Sequence, residues 1–293
     1  FTTYKGDKKG SLFFALNRTK TSAGARMLKN WMQFPLADVQ LISNRHDQVD
    51  FWFNKPQDLK ELRRILTGMG DIERRLGKIS NPNCNPRDLV SLMDSVSCGL
   101  QVSNFCPEIE ESSFKSATDL VERISRTLVD EPPIYLKDGG VIRTGFNPKL
   151  DELIGLAENG QSLLRQMEED ERAKTGISTL KIRYNNVFGF YIEVTNTHKD
   201  KVPDHYKRKQ TLTNAERYLT QELQELEDKI LSSKSKRVEL ETELFGDLKK
   251  EVLACSADLL HLARKWSELD VLSSMAFLAQ ENNYHRPEFC EHG

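Results

Sequence analysis

The sequence predicts a mainly α fold, a helical core bundle with two long helices that carry a small antiparallel β-rich insert at their tip. Three observations predict it. Apolar residues recur at helical spacing through most of the chain. Two β-like runs, 180–184 and 188–194, stand together, separated by Asn185-Asn186-Val187, and the second is rich in aromatic and β-branched residues. On either side lie long helical patterns, from Pro148 to about residue 173 and from Asn214 to about residue 253. A helix of about 40 residues, at about 1.5 Å each, spans roughly 60 Å. That exceeds a small domain, so the insert is expected at the end of a projecting arm.

The elements follow in order. Residues 10–16 read as a short apolar turn of helix, broken at Thr19-Lys20-Thr21-Ser22. Thr21 or Ser22 can cap a helix over 23–33, which Pro35 ends. Asp38 is expected to cap a helix over 37–54, and Pro56 suits the start of the next, which Gly68-Met69-Gly70 stops. Asp71 caps 72–78, and helices are expected over 87–102 and 118–129. Residues 105–113, with Pro107 and three acids, read as a surface loop between those two. Asp138-Gly139-Gly140 reads as the turn of a short hairpin between 134–136 and 141–144. In the second long helix Leu219, Leu223, Leu226 and Ile230 step by four, three and four, a coiled-coil-like seam. A last helix is expected over 258–282.

The 293 residues carry a net charge of −2, with 29% charged and 38% hydrophobic residues. That balance excludes a general polyanion binder, so any nucleic-acid surface has to be local. Such a surface exists in the pattern. Residues 179–213 hold seven cations (Lys181, Arg183, Lys199, Lys201, Lys207, Arg208, Lys209) against Glu193, Asp200 and Asp204, a net +4. Five scattered cysteines without a CxxC pair read as reduced thiols of a cytoplasmic protein. The histidines show no metal-ligand spacing, and neither a membrane span nor a signal peptide is expected. The chain opens on Phe1 and ends on Gly293, which reads as a piece of something longer.

Catalytic motifs are not found. Gly77-Lys78 resembles the end of a P-loop, but Ile72 stands where the first glycine belongs. Glu168, Glu169, Asp170 and Glu171 read as a solvated helix face rather than an acid pair. The run Lys207-Arg208-Lys209-Gln210-Thr211 with Asn214 is more informative. It combines point charges, a guanidinium fork and neutral donors next to an expected helix start, the mixture that phosphate oxygens favour. The aromatics Tyr184, Phe188, Phe190, Tyr191 and Tyr206 are expected to pack the sheet against its helices. The residues alone leave two readings open, a phosphate-binding tip or a solubilising loop on a scaffold arm that binds a protein partner.

The segments GSLFFALNRTKTSAGARMLKNWMQFPL (10–36), DGGVIRTGFNPKLDEL (138–153), TGISTLKIRYNNVFGFYIEVT (175–195), RKQTLTNAERYLTQELQELEDKIL (208–231) and ELDVLSSMAFLAQENNYHRPEF (268–289) resemble the bacterial MutS family of DNA mismatch recognition proteins. They fall in the family's order and cover most of the chain; residues 83–116 match least. The resemblance implies a core over 1–145, an outgoing lever helix over 146–174, a β-rich clamp over 175–213, and a returning lever with the last core helix over 214–293. It implies that the clamp touches the DNA backbone without reading sequence. Lys207, Arg208, Gln210, Thr211 and Asn214 carry that contact over from the family motif, with Lys199 and Lys209 as neighbouring basic candidates. It further implies double-stranded DNA, a homodimer and other mismatch repair proteins as partners, and ATP with Mg as cofactors of a longer protein. This stretch alone is expected to be no enzyme. The family's mismatch-reading Phe-x-Glu belongs ahead of Phe1, so Phe289-Cys290-Glu291 is read as a chance match.

Overall fold

The computed structural model describes residues 6, 9–105, 111–185 and 189–288. In chain order its helices are α1 (Leu12–Leu16), α2 (Ser22–Gln33), α3 (Val39–Phe53), α4 (Pro56–Leu66), α5 (Ile72–Ser80), α6 (Pro86–Ser103), α7 (Glu111–Thr127) and α8 (Pro148–Thr175). Then come strands β1 (Lys181–Asn185), β2 (Gly189–Thr195), β3 (Lys207–Thr211) and β4 (Ala215–Leu219), followed by α9 (Gln221–Ala254) and α10 (Ser256–Asn282). The fold is therefore mainly helical with one small antiparallel sheet. The chain forms two compact units, residues 1–135 with 245–293, and residues 136–244.

In the first unit α10 packs against α2, α3, α4, α5, α6 and α7. A helix with neighbours on so many sides has to be apolar or internally satisfied around most of its circumference. Leu259, Leu262, Trp266, Leu269, Val271, Leu272, Ala276 and Leu278 supply the apolar part. Trp266 lies against Gly99 of α6, where an added Cβ would sit 2.4 Å from the ring, and its indole N–H donates to Ser103 Oγ at 2.9 Å. The polar part centres on Asp270, which is fully buried. Its carboxylate accepts from the backbone N–H groups of Lys20 and Thr21 (2.8 Å each) and from the Thr21 hydroxyl (2.8 Å). Thr21 Oγ1 in turn caps α2 by accepting from Gly24 N–H at 2.9 Å. A single carboxylate thus fixes the start of α2 to the middle of α10.

Most of the expected helices form within a residue or two of their expected ends. Of the two candidate caps, Thr21 is the one used; Asp38 and Asp71 cap α3 and α5 as expected. Three local expectations fail. Helix α7 begins at Glu111, seven residues before residue 118, so Glu111, Ser112 and Ser113 are helical; Cys106 to Glu110 of the expected loop lie outside the described residues. The hairpin around Gly139-Gly140 does not form, because 136–138 is a 3₁₀ turn. Gly139 and Gly140 take φ of +68° and +78°, a region that favours glycine. That twist presents the N–H groups of Gly140 (3.0 Å) and Val141 (2.8 Å) to the buried carboxylate of Glu241 on α9, which Arg237 also contacts at 2.9 Å. A charged partner satisfies the backbone that an opposing strand was expected to satisfy.

The third failure concerns residues 214–219. Asn214 is in a turn and Ala215–Leu219 form strand β4, not the first turns of a helix, and α9 starts at Gln221, where Thr220 Oγ1 accepts from Leu223 N–H at 3.2 Å. Ala, Glu, Arg and Leu favour helices, but intrinsic propensity is a small effect that pairing with strands on both sides overrides. Leu219 accordingly belongs to the sheet, and the α9 stripe begins at Leu223.

Replacing Gly24 by Ala tests the Asp270 contact. Alanine stabilises an open helix position by roughly 0.5–1 kcal/mol over glycine. Here its Cβ would lie 2.2 Å from Asp270 Oδ2. The expected result in urea unfolding is a net loss of about 1–3 kcal/mol, as for overpacking elsewhere. A gain in stability would show that α2 and α10 do not approach this closely.

Candidate nucleic-acid interface

The four strands run in the order β1-β2-β4-β3, all antiparallel, so β4 is central and β1 and β3 are edges. Period-2 alternation gives the sheet two chemically different faces. Ile182, Phe190, Ile192, Val194 and Tyr218 share one face and pack with Leu164 and Met167 of α8 and Leu223, Leu226 and Ile230 of α9. Gly160 lets the two helices approach, since an added Cβ would lie 3.2 Å from Ile230.

Carboxylates from both helices pin the first hairpin. Glu168 of α8 accepts from Ile182 N–H at 2.7 Å, and Glu227 of α9 accepts from Phe190 N–H at 3.2 Å. Gly189 has φ +75°, and a Cβ there would collide with Glu227 at 2.0 Å. Glu171 is buried and takes hydrogen bonds from the Tyr206 hydroxyl and from Lys174 Nζ. The acidic run 168–171 is thus no uniform solvated face. Glu169 and Asp170 are exposed as expected, whereas Glu168 and Glu171 hold the sheet to its helix. The sequence signal for the difference is helical spacing, since Glu171 falls seven residues after Leu164, on the same stripe.

The opposite face carries Lys181, Arg183, Glu193, Gln210 and Arg217. Glu193 lies between Arg183 (3.5 Å) and Arg217 (3.6 Å). The Arg217 guanidinium covers the Tyr191 ring at 4.4 Å and donates to Gln210 Oε1 at 2.9 Å. Tyr191, expected to pack toward the helices, is therefore buried under an arginine on the other side. Tyr184 is half exposed and meets Phe190 at 5.0 Å, while Phe188, Asn186 and Val187 lie outside the described residues.

The expected site residues gather at the β3 edge and its turn. Lys207, Arg208, Lys209, Gln210 and Thr211 form β3 itself. All are exposed except Gln210, which is half-buried. Thr213-Asn214 is the two-residue turn to β4, closed by Leu212 N–H to Ala215 O at 2.8 Å, rather than a helix start. The case for phosphate binding therefore rests on side-chain charge and turn geometry, without a helix N-terminus. Asn196 braces the turn, donating its backbone N–H to Asn214 O (3.2 Å) and its side chain to Thr213 O (3.0 Å). Sequence reasoning missed Asn196 and Arg217. The overlooked signal was a two-residue polar turn between two short alternating runs. Lys199 sits in a 3₁₀ turn, Asn196–Lys201, and is exposed.

The two sheet edges differ in electrostatics. Glu168 occupies a backbone donor of β1. Among the described residues no other element bonds to the outer edge of β3, which is broken by a bulge between Arg208 and Gln210. Bulges and lysines are how proteins keep an open edge from pairing with another sheet. Arg208 is partly neutralised by Glu216 at 3.6 Å, whereas Lys199, Lys207 and Lys209 form no ion pair among the described residues. Burial and the Glu216 bond push the Tyr218 hydroxyl up to about 12, so it stays a neutral donor to that carboxylate.

A profile described as MutS domain III matches residues 1–276. The chain belongs to the MutS family. It is 40% identical over 298 residues to the DNA mismatch repair protein MutS of Methanosarcina barkeri, covering 98% of this chain and 33% of the relative. It is 40% identical over 293 residues to that of Staphylococcus carnosus (97% and 34%), and 41% identical over 293 residues to that of Staphylococcus aureus (97% and 34%). The chain spans about a third of the length of these relatives. Gly77 and Lys78 lie inside α5, and Lys78 Nζ is held by Asp88 at 2.6 Å. These residues do not fit an ATP phosphate loop. No helix among the described residues is long and apolar enough to cross a membrane. Cys84, Cys98 and Cys255 are free thiols; Cys290, with Phe289 and Glu291, lies outside the described residues.

The Glu171–Tyr206 contact makes the sheet's attachment depend on pH. Burial raises the Glu171 carboxyl, but the bonds from Lys174 and Tyr206 outweigh it and leave it below the ordinary range. Its contribution is present above the usual carboxylate pKa of about 4.3 and is lost as pH falls through the lower folded value. Burial, then Glu171, raise the Tyr206 hydroxyl, so its contribution is present below about pH 10 and is lost as pH rises further. Tyr206→Phe is expected to cost about 1–3 kcal/mol at neutral pH and to weaken the alkaline loss. Hydrogen exchange at residues 189–195 reads this directly; unchanged protection in the variant would remove the contact from the account.

Proposed function

We propose that the four-stranded sheet is a clamp that holds double-stranded DNA by its phosphate backbone, within a longer mismatch repair protein. The observation that carries the reading is the β3 edge, a free, bulged strand of three consecutive cations beside a braced polar turn. Lys207 and Lys209 supply charge that no ion pair among the described residues neutralises. Arg208, Gln210, Thr211 and Asn214 supply directed donors, and Lys199 adds a further exposed cation. Flexible side chains on an edge strand suit a uniform ladder of phosphates, and phosphates carry no sequence information. A reader of base edges would need fixed groups shaped to a groove. The names of the relatives, all DNA mismatch repair proteins, support the same reading.

In that longer protein the residues described here transmit DNA contact rather than perform chemistry. ATP with Mg acts elsewhere, in keeping with the helical environment of Gly77-Lys78. A homodimer closing around the duplex and other mismatch repair proteins are its expected partners, in the cytoplasm.

The test is the salt dependence of duplex binding. Binding through phosphates falls with a log–log slope of about −0.9 per phosphate neutralised. Lys207→Ala with Arg208→Ala is expected to lower the slope by up to about two units, less where Glu216 already neutralises Arg208. The loss should be equal for matched and mismatched duplexes. Fold stability should change by less than about 1 kcal/mol. An unchanged slope in the double variant would transfer the reading to a scaffold arm with a protein partner.

A further inference from the structure

The first unit contains an open cleft of about 740 Å³ between the link preceding α2, helix α4 and the end of α10. Its lining includes Arg18, Lys20, Lys60, Arg63 and Arg64, with no acidic residue. Arg18 is paired with Glu281 at 3.2 Å and Arg64 with Glu61 at 2.7 Å. Lys20 and Lys60 are exposed and form no ion pair among the described residues. Arg63 is different, since only 6% of it is exposed.

Two contacts explain part of the burial of Arg63. Its Nη2 donates to Arg18 O at 2.7 Å, and its guanidinium lies 4.3 Å over the Phe277 ring. They make the residue a strut between α4, α10 and the link. They leave Nη1 buried without a hydrogen-bond partner among the described residues. A guanidinium is planar with donors on three nitrogens, and a buried donor left unmatched is rare and costly. Burial lowers the Arg63 pKa against the opposing pull of Asp270 and Glu281, as for a cation short of counter-charge. Asp270 is committed to Lys20 N–H and to the N–H and hydroxyl of Thr21, and makes no hydrogen bond to Nη1.

We propose that this cleft binds a phosphate-class oxyanion, with the Arg63 side chain in its lining and the ammonium groups of Lys20 and Lys60 at its rim. A tetrahedral oxyanion offers oxygens in several directions. It can therefore meet donors that arrive from the link and from different positions on α4, which a planar carboxylate meets less well. The cleft exceeds the size of a bare ion, so the phosphate can belong to a larger molecule. The inference does not depend on the clamp, which lies in the other unit.

Calorimetric titration of the chain with inorganic phosphate, against chloride at matched ionic strength, tests it. The expected result is one saturable site. Lys20→Ala with Lys60→Ala should weaken it about tenfold or more, since charge-assisted bonds are lost from two exposed residues that the fold does not need. Arg63→Lys, which keeps the charge but loses the fork, should weaken it as well. Lys207→Ala with Arg208→Ala should leave it unchanged. A short DNA duplex added as competitor separates the two sources of phosphate. Displacement assigns the site to DNA, and retention assigns it to a small phosphate-bearing molecule. No saturable phosphate binding above chloride, or binding that survives the lysine double variant or follows the β3 variant, would overturn the proposal.

Discussion

A sheet of four strands, each five to seven residues long, cannot hold itself together in water with one face bare. That constraint organises residues 136–244. The apolar face made by Ile182, Ile192, Val194 and Tyr218 needs a cover, and α8 with α9 supplies it through Leu164 and Leu223. Once the helices lie on that face, their carboxylates are near strand backbone. Glu168 and Glu227 then take N–H groups from β1 and β2, and Glu171 takes the Tyr206 hydroxyl. Every one of these attachments falls on one side or toward the β1 end of the sheet. The β3 edge is what remains open, and its composition decides what an open edge becomes. Apolar residues there would recruit another strand, whereas three cations and a bulge repel strands and attract polyanions.

The first unit solves a different problem with the same means. Helix α10 is surrounded by neighbours, so any polar group on it has to be satisfied internally. Asp270 is satisfied by the backbone at the start of α2, and Trp266 by Ser103 with Gly99 making room for its ring. Glycine at positions 24 and 99 is thus a packing requirement of a crowded helix. Glu241 plays the corresponding part in the second unit, replacing a strand partner for Gly140 and Val141. The buried carboxylates of Asp270 and Glu241 join residues 249 and 100 positions apart, which explains why simple periodicity did not reveal them.

Helices with sustained apolar periodicity and capping residues could be read from sequence nearly to the residue, as α3 behind Asp38 and α5 behind Asp71 show. The first hairpin was also readable, because aromatic and β-branched residues alternate in β2. Strand β4 was not. Its AERYL composition favours a helix, and only its neighbours β2 and β3 make it a strand, information that no local window contains. The same holds for Glu171, whose burial depends on a tyrosine 35 residues away. The basic residues of the candidate site were readable because they are exposed, and exposure leaves composition intact as a signal. Their arrangement along a bulged edge, and the brace from Asn196, required the sheet.

The central claim is that duplex DNA lies against the β3 edge and its turn, independent of sequence. Lysine reactivity footprinting on the protein with bound duplex tests it residue by residue. The account predicts that Lys199, Lys207 and Lys209 lose reactivity to acylation, to the same extent with matched and mismatched duplexes. Lys181, on the opposite edge strand, should keep more of its reactivity. Reactivity of Lys207 and Lys209 that is unchanged by saturating duplex would contradict the account, because a phosphate backbone held at β3 cannot leave those ammonium groups free.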